Sequence, residues 1–178
     1  MPKNYKELLN EVKAFVFDVD GVFTDGTVLI QENGDQLRRM NVKDGYAVQH
    51  AFKAGYPIGI ISGGKSEGVR KRFQYLGLED IYLGVSNKTE ALNDFCFKHK
   101  ITTDNVLYIG DDIPDLKVME QCLLAACPSD AAIEVKNIAQ YISPNKGGNG
   151  TVRDVISQVM KVQGKWLKST EKDSLCSI

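Results

Sequence analysis

The chain has 178 residues, 43% hydrophobic and 25% charged, the balance of an ordinary globular domain that buries its core without disulfides or a structural metal. Lysine plus arginine total 22 against 23 for aspartate plus glutamate, and a net charge of -1 excludes the basic footprint of a nucleic-acid binder. No apolar run approaches the roughly 20 residues that cross a bilayer, so a membrane span is excluded as well.

The first 11 residues are polar and amphipathic, without a secretory pattern, and Tyr5, Leu8, Leu9 and Val12 have helical spacing. Ala14-Phe15-Val16-Phe17 follows, too short for a helix and stopped by Asp18; it reads as a strand buried on both faces. Similar runs recur at 57–61, 81–83, 106–109 and 123–126. Helical stretches separate them at 42–54, 66–76, 89–99 and 113–121, with a last helix over 151–166. Gly55 and Gly77 stand where left-handed caps would end two of these helices. Strand and helix alternate, which predicts an α/β fold, a Rossmann-like three-layer sandwich on a mostly parallel sheet. One segment breaks the alternation: 27–32 and 36–40 flank Asn33-Gly34-Asp35, a β-hairpin inserted after the first strand. A single domain over 1–167 is expected, followed by a disordered polar tail, 168–178.

Cys96, Cys122, Cys127 and Cys176 are scattered and the chain has two histidines, which argues against a zinc site or disulfide scaffold. Reduced thiols in a cytoplasm are expected, with Cys122 and Cys127 in the core.

Ligands of open α/β sheets bind beyond the carboxyl ends of the strands. There the chain places Asp18-Val-Asp20-Gly-Val-Phe-Thr24-Asp25, then Ser62-Gly63-Gly64-Lys65, then Ser86-Asn87-Lys88, then Gly110-Asp111-Asp112-Ile-Pro-Asp115. Clustered carboxylates without histidine or cysteine suit Mg²⁺. A carboxylate can attack phosphorus, and a second one two residues on can move the protons. Ser62 and the Gly63 and Gly64 amides could hold phosphoryl oxygens, and Lys88 would offset their charge. Taken singly, each motif has a plainer reading: a strand-to-helix turn, a surface lysine, a helix cap at Asp112 or Asp115. The four in this order are specific.

The set resembles the four motifs of the haloacid dehalogenase-like phosphatases, over roughly residues 13–166. Within that superfamily it is most similar to the small, capless subfamily of 3-deoxy-D-manno-octulosonate 8-phosphate (Kdo 8-phosphate) phosphatases, which share the hairpin, an Asn-Val-x-Asp-Gly segment and Ser-Asn-Lys. The resemblance implies Asp18 as nucleophile and metal ligand, and Asp20 as general acid/base and ligand through its carbonyl. It also implies Asp111 as the third Mg²⁺ ligand, and Ser62 and Lys88 as phosphate-binding. Asp20, Asn41, Val42, Lys43, Asp44, Gly45, Gly63, Gly64, Lys65, Arg72 and Lys88 are implied to contact the substrate. A homotetramer built by the hairpin is implied, with neighbouring subunits partly covering each site, and a role in lipopolysaccharide precursor synthesis.

Two departures bear on substrate. Gly64 stands where many members carry Arg, and Gly147-Gly148-Asn149-Gly150 replaces a Gly-Gly-Arg-Gly segment, with Lys146 and Arg153 nearby. The residues alone read 147–150 as a flexible connector and Asp25 as a support for its loop. A nine-carbon sialic-type 9-phosphate or another sugar phosphate is the alternative substrate. A phospho-Asp signalling domain shares the parts but orders them differently, its acceptor Asp following a later strand.

Overall fold

A computed structural model describes residues 4–167. Its elements in chain order are α1 (Tyr5–Leu8), β1 (Ala14–Phe17), β2 (Leu29–Ile30), β3 (Gln36–Leu37), α2 (Val42–Lys53), β4 (Ile58–Ser62), α3 (Glu67–Tyr75) and β5 (Asp80–Leu83). Then come α4 (Lys88–His99), β6 (Val106–Ile109), α5 (Leu116–Met119), β7 (Leu124–Cys127), α6 (Ile133–Ile138), β8 (Tyr141–Ile142) and α7 (Thr151–Val162).

Successive side chains of a strand point to opposite faces, so a strand buried on both faces feeds two cores, and β1 does so. Phe15 and Phe17 enter a core with α2 and α7 residues such as Ala47, Val48, Val152 and Ile156. Ala14 and Val16 enter a second core with Leu92 and Phe95 of α4 and Val118 of α5. Two cores on two faces make the three layers. The sheet runs β5-β4-β1-β6-β7-β8 and every pairing in it is parallel. The strand order reverses at β1, so the crevice at its carboxyl end is where such a sheet takes its ligand.

The predicted sheet strands all form, none with an end displaced by more than one residue: 57–61 becomes Ile58–Ser62, 81–83 becomes Asp80–Leu83 and 123–126 becomes Leu124–Cys127. Gly55 and Gly77 take the left-handed conformation, with φ of 91° and 96°. The expected helix over 113–121 is instead a 3-10 turn, Ile113–Asp115, leading into the single turn of α5. Asp112 caps the turn by accepting from the Ile113 amide at 2.8 Å, and Pro114 sits in the first turn, where its missing amide costs no helical bond. The last helix stops at Val162 rather than 166, although Trp166 still packs against the core. The sequence gives no sign of α6 and β8, because six and two residues are too few to display a period.

The hairpin pairs Leu29 with Leu37 and Ile30 with Gln36, far shorter than 27–40. Leu29, Ile30 and Leu37 are all exposed, so within this chain no core face holds the ladder together. Asp25 does brace the loop before it, accepting from the Thr27 amide and hydroxyl at 3.0 and 2.6 Å.

Residues 147–150 are no loose connector. The Gly148 amide donates to the Val22 carbonyl at 2.9 Å, and a Cβ at Gly147 would collide with the Gly21 carbonyl. Glycine here lets one backbone lie directly on another, the loop after β1. The expected disordered tail, 168–178, lies outside the described residues, as does Cys176.

Candidate active site

Asp18 extends β1 by one residue, its amide donating to the Ile109 carbonyl of β6 at 2.9 Å. Lys88 opens α4, where Asn87 caps the helix by accepting from the Thr89 amide at 3.1 Å. The Lys88 ammonium thereby lies 3.1 Å from Asp18 Oδ1 and 2.7 Å from Asp115 Oδ1. Asp115 is fully buried and also accepts from the Tyr108 hydroxyl at 2.9 Å and the Asp111 amide at 3.2 Å. Gly110 makes room for it, since a Cβ there would meet the Asp115 side chain at 2.5 Å. Asp115 and Tyr108 are thus a platform beneath Lys88.

Asp18, Asp111 and Asp115 bring one carboxylate oxygen each to within 4.8 Å of one another. Burial, and then the charge of Asp115, push Asp18 up to about 7. Burial, followed by Asp18 and Asp115, pushes Asp111 up to about 8. Burial opposes the charge on Lys88, but Asp18 and Asp115 outweigh it and raise its pKa. Three carboxylates facing one ammonium leave negative charge uncompensated, and an all-oxygen donor set suits a hard divalent cation. The residues fit that group.

Asp20 is not one of these three. Its carboxylate is held by Arg38 of the hairpin, with Nε to Oδ1 at 2.7 Å and Nη2 to Oδ2 at 3.0 Å. Ser62 ends β4 and is buried, its Oγ accepting from the Gly64 amide at 3.2 Å. The Gly64 amide is therefore occupied from within, and α3 starts only at Glu67, capped by Ser66.

Asp18, Asp20, Ser62, Gly63, Gly64, Lys88 and Asp111 line one cleft of about 800 Å³, together with Asp112 and Asp115. The other predicted contacts lie elsewhere. Lys65 lines a neighbouring groove under the hairpin, and Arg72 a further one beside Met40. Asn41 caps α2 through the Lys43 amide at 2.8 Å, and Val42 and Lys43 are exposed on its first turn. Gly45 is packed on Arg72, whose guanidinium occupies the place a Cβ would take. Asp44 does not line the cleft either. It is fully buried and accepts from the Gly150 and Arg153 amides at 3.1 and 2.8 Å, capping α7, whose own cap residue has no side chain. Arg153 lies over the rings of Trp166 and Tyr46, at 5.5 and 5.8 Å from their centroids.

Sequence reasoning misses Tyr108 and Arg38. A lone hydroxyl in the run Val-Leu-Tyr-Ile is the one available signal, since a buried tyrosine needs a partner. Cys127 is buried and its thiol is raised to about 11 by burial, in keeping with a core thiol, and Cys122 is raised for the same reason.

Residues 77–156 match the haloacid dehalogenase-like hydrolase family. The 3-deoxy-D-manno-octulosonate 8-phosphate phosphatase of Escherichia coli is 37% identical over 154 residues, 86% of this chain and 82% of that protein. The chain belongs to the haloacid dehalogenase-like phosphatases. It is a phosphoric monoester hydrolase, built like the crystallised relatives. The Yersinia pestis 3-deoxy-D-manno-octulosonate 8-phosphate phosphatase superimposes with a TM-score of 0.89 at 30% identity, covering 92% of this chain and 89% of that one. The Moraxella catarrhalis enzyme, solved with a magnesium ion, a phosphate ion and Kdo, gives 0.88 at 28% identity over 99% and 98% of the two chains. Like them, this phosphatase has an α/β sandwich, and its one insertion between β1 and α2 is the hairpin. No described helix is long and apolar enough to cross a membrane.

Proposed function

We propose that this phosphatase hydrolyses Kdo 8-phosphate to Kdo and inorganic phosphate through a phosphorylated Asp18. The observation that carries the reading is the Lys88 ammonium bridging Asp18 and Asp115 at the end of the central strand. An Asp18 oxygen attacks phosphorus while the bond to the sugar oxygen breaks, and Asp20 gives that oxygen its proton. Asp20 then takes a proton from water as the water oxygen attacks the aspartyl-phosphate, which releases phosphate and restores Asp18. Lys88 lies beside the nucleophile and offsets charge on the phosphoryl group, and Ser62 with the Gly63 amide supplies donors in the same cleft. Mg²⁺ would be held by the carboxylates of Asp18 and Asp111 and the Asp20 carbonyl, and when bound it supplies positive charge against the phosphoryl oxygens. Asp115 orients Lys88 beside that set.

The substrate assignment is supported by the Escherichia coli and Moraxella catarrhalis relatives. Of the residues proposed to contact the sugar, Lys65 and Arg72 line grooves beyond the main cleft, and Asn41, Val42, Lys43 and Gly45 lie at the start of α2. Their contribution belongs to an assembly in which the exposed Leu29, Ile30 and Leu37 of four hairpins pack together. A single domain in the cytoplasm, serving lipopolysaccharide precursor synthesis, completes the reading.

Phosphate release from a panel of sugar-acid phosphates, with Mg²⁺ and with chelator, tests it. Metal-dependent preference for Kdo 8-phosphate is expected. Preference for a nine-carbon 9-phosphate would overturn the substrate, and release unaffected by chelator would overturn the metal. Deleting residues 30–37 should convert tetramers to smaller species by light scattering, and an unchanged mass would remove the hairpin from assembly.

A further inference from the structure

Within the hairpin segment 27–40 only Arg38 and Met40 are partly buried rather than exposed. The Arg38 side chain is 8% exposed while that of its partner Asp20 is 36% exposed. The guanidinium presents a two-pronged fork to both oxygens of Asp20, and two of its other three donors return to the Gln36 carbonyl at 3.2 Å and the Gln36 Oε1 at 3.4 Å. A fork-to-carboxylate pair fixes the plane as well as the position of the acid, which a single ammonium could not do. The loop after β4 permits the approach. The position a Cβ would take on Gly64 lies 3.5 Å from Arg38 Nη2, 3.6 Å from Asp20 Oδ2 and 3.6 Å from Ser62 Oγ, so a long side chain at 64 would compete for the place the fork fills.

We propose that Arg38 is a positioning residue, which holds the Asp20 carboxylate in the plane from which it exchanges protons with the leaving oxygen and with water. The inference rests on the reading of Asp20 as general acid/base. Arg38 cannot be the acid itself, because a guanidinium keeps its protons. Nor does its fork exhaust Asp20, since each carboxylate oxygen has a second lone pair and can carry a proton there. The hairpin thus has a stake in the chemistry of its own subunit, through one side chain.

Leaving-group dependence tests this. An alkoxide departs only with a proton, whereas p-nitrophenolate departs without one. Steady-state rates of Arg38→Met and Arg38→Lys are measured on p-nitrophenyl phosphate and on the alkyl phosphate that the native protein turns over fastest, beside Asp20→Asn as reference. For Arg38→Met the expected result is a loss in kcat/KM of roughly a hundredfold on the alkyl ester and of about threefold or less on the aryl ester. KM should stay nearly constant, and Arg38→Lys, which restores charge but not the fork, should recover only part. Equal losses on both esters, or no loss, would overturn the proposal. A raised KM with kcat retained would make Arg38 a substrate grip instead. If Asp20→Asn itself shows no leaving-group dependence, the reading of Asp20 fails, and that result is separable because it needs no Arg38 variant. Should Arg38→Met fail to fold, Arg38→Gln supplies the same comparison with a shorter polar side chain that lacks the fork.

Discussion

Two acidic residues only two positions apart are held in opposite ways. Asp18 stands at the end of the central strand, and its partner Lys88 is held by the buried Asp115, which accepts in turn from Tyr108 and the Asp111 amide. Asp20 stands in the loop, and its partner arrives from a hairpin whose ladder is two residues long on each side. The first arrangement inherits the rigidity of a parallel sheet covered on both faces. The second depends on a segment with no core of its own. The difference suits the two tasks, since a nucleophile needs one fixed position, whereas a proton carrier works on two oxygens in successive steps.

The comparison breaks most completely at Asp18. Asp18→Asn keeps the shape and removes the charge, and is expected to lower kcat by roughly ten-thousandfold or more with an unchanged circular dichroism spectrum, as loss of a nucleophile does elsewhere. Near-native turnover would show that another group attacks phosphorus. Next in size comes Lys88→Met, which leaves Asp18 and Asp115 facing each other without their cation. A loss in kcat/KM of roughly a hundredfold or more is expected from the missing charge stabilisation, read by steady-state kinetics on protein whose fold has been checked. A loss under about tenfold would mean that the ammonium serves the stability of the cluster rather than the reaction.

Much of this was legible in the order of residues. Short apolar runs ending in Asp, Ser-Gly-Gly and Gly-Asp-Asp located the strand ends, and strand ends are where an α/β sheet does its chemistry. Asp18, Ser62, Lys88 and Asp111 do meet in one cleft for that reason. Contacts that depend on register or on a long reach were not legible. Tyr108 reaches Asp115 because β6 places that side chain on the α4 side of the sheet, and nothing in Val-Leu-Tyr-Ile says which face is which. Arg38 is one of two adjacent cations in the hairpin segment, and only the turn of the chain selects it over Arg39, which meets Asp25 in the open at 3.4 Å. The segment Asn41-Val42-Lys43-Asp44-Gly45 divides along the same line. The helix expected over 42–54 forms as α2, with Asn41 as its cap, whereas the long-range reach of Asp44 to the amides of α7 has no local signal.

Asp44 gives the smallest and sharpest contrast, because here a carboxylate is spent on the fold. α7 begins at a glycine, so its first amides have no acceptor of their own, and Asp44 reaches across from α2 to receive two of them. Burial raises its pKa, with the two amides and the Arg153 charge working the other way. Asp44→Ala removes both acceptors and should cost about 2 kcal/mol, the range of a lost helix cap. In a chain of this size that lowers the thermal midpoint by roughly 5 °C. Asp44→Asn keeps one acceptor oxygen and should fall between Asp44→Ala and the native protein. Scanning calorimetry of the three proteins reads the order directly. The order should be independent of added phosphate, because the residue touches α7 and not the cleft. A KM that rises in Asp44→Ala while the midpoint stays in place would return the carboxylate to the substrate.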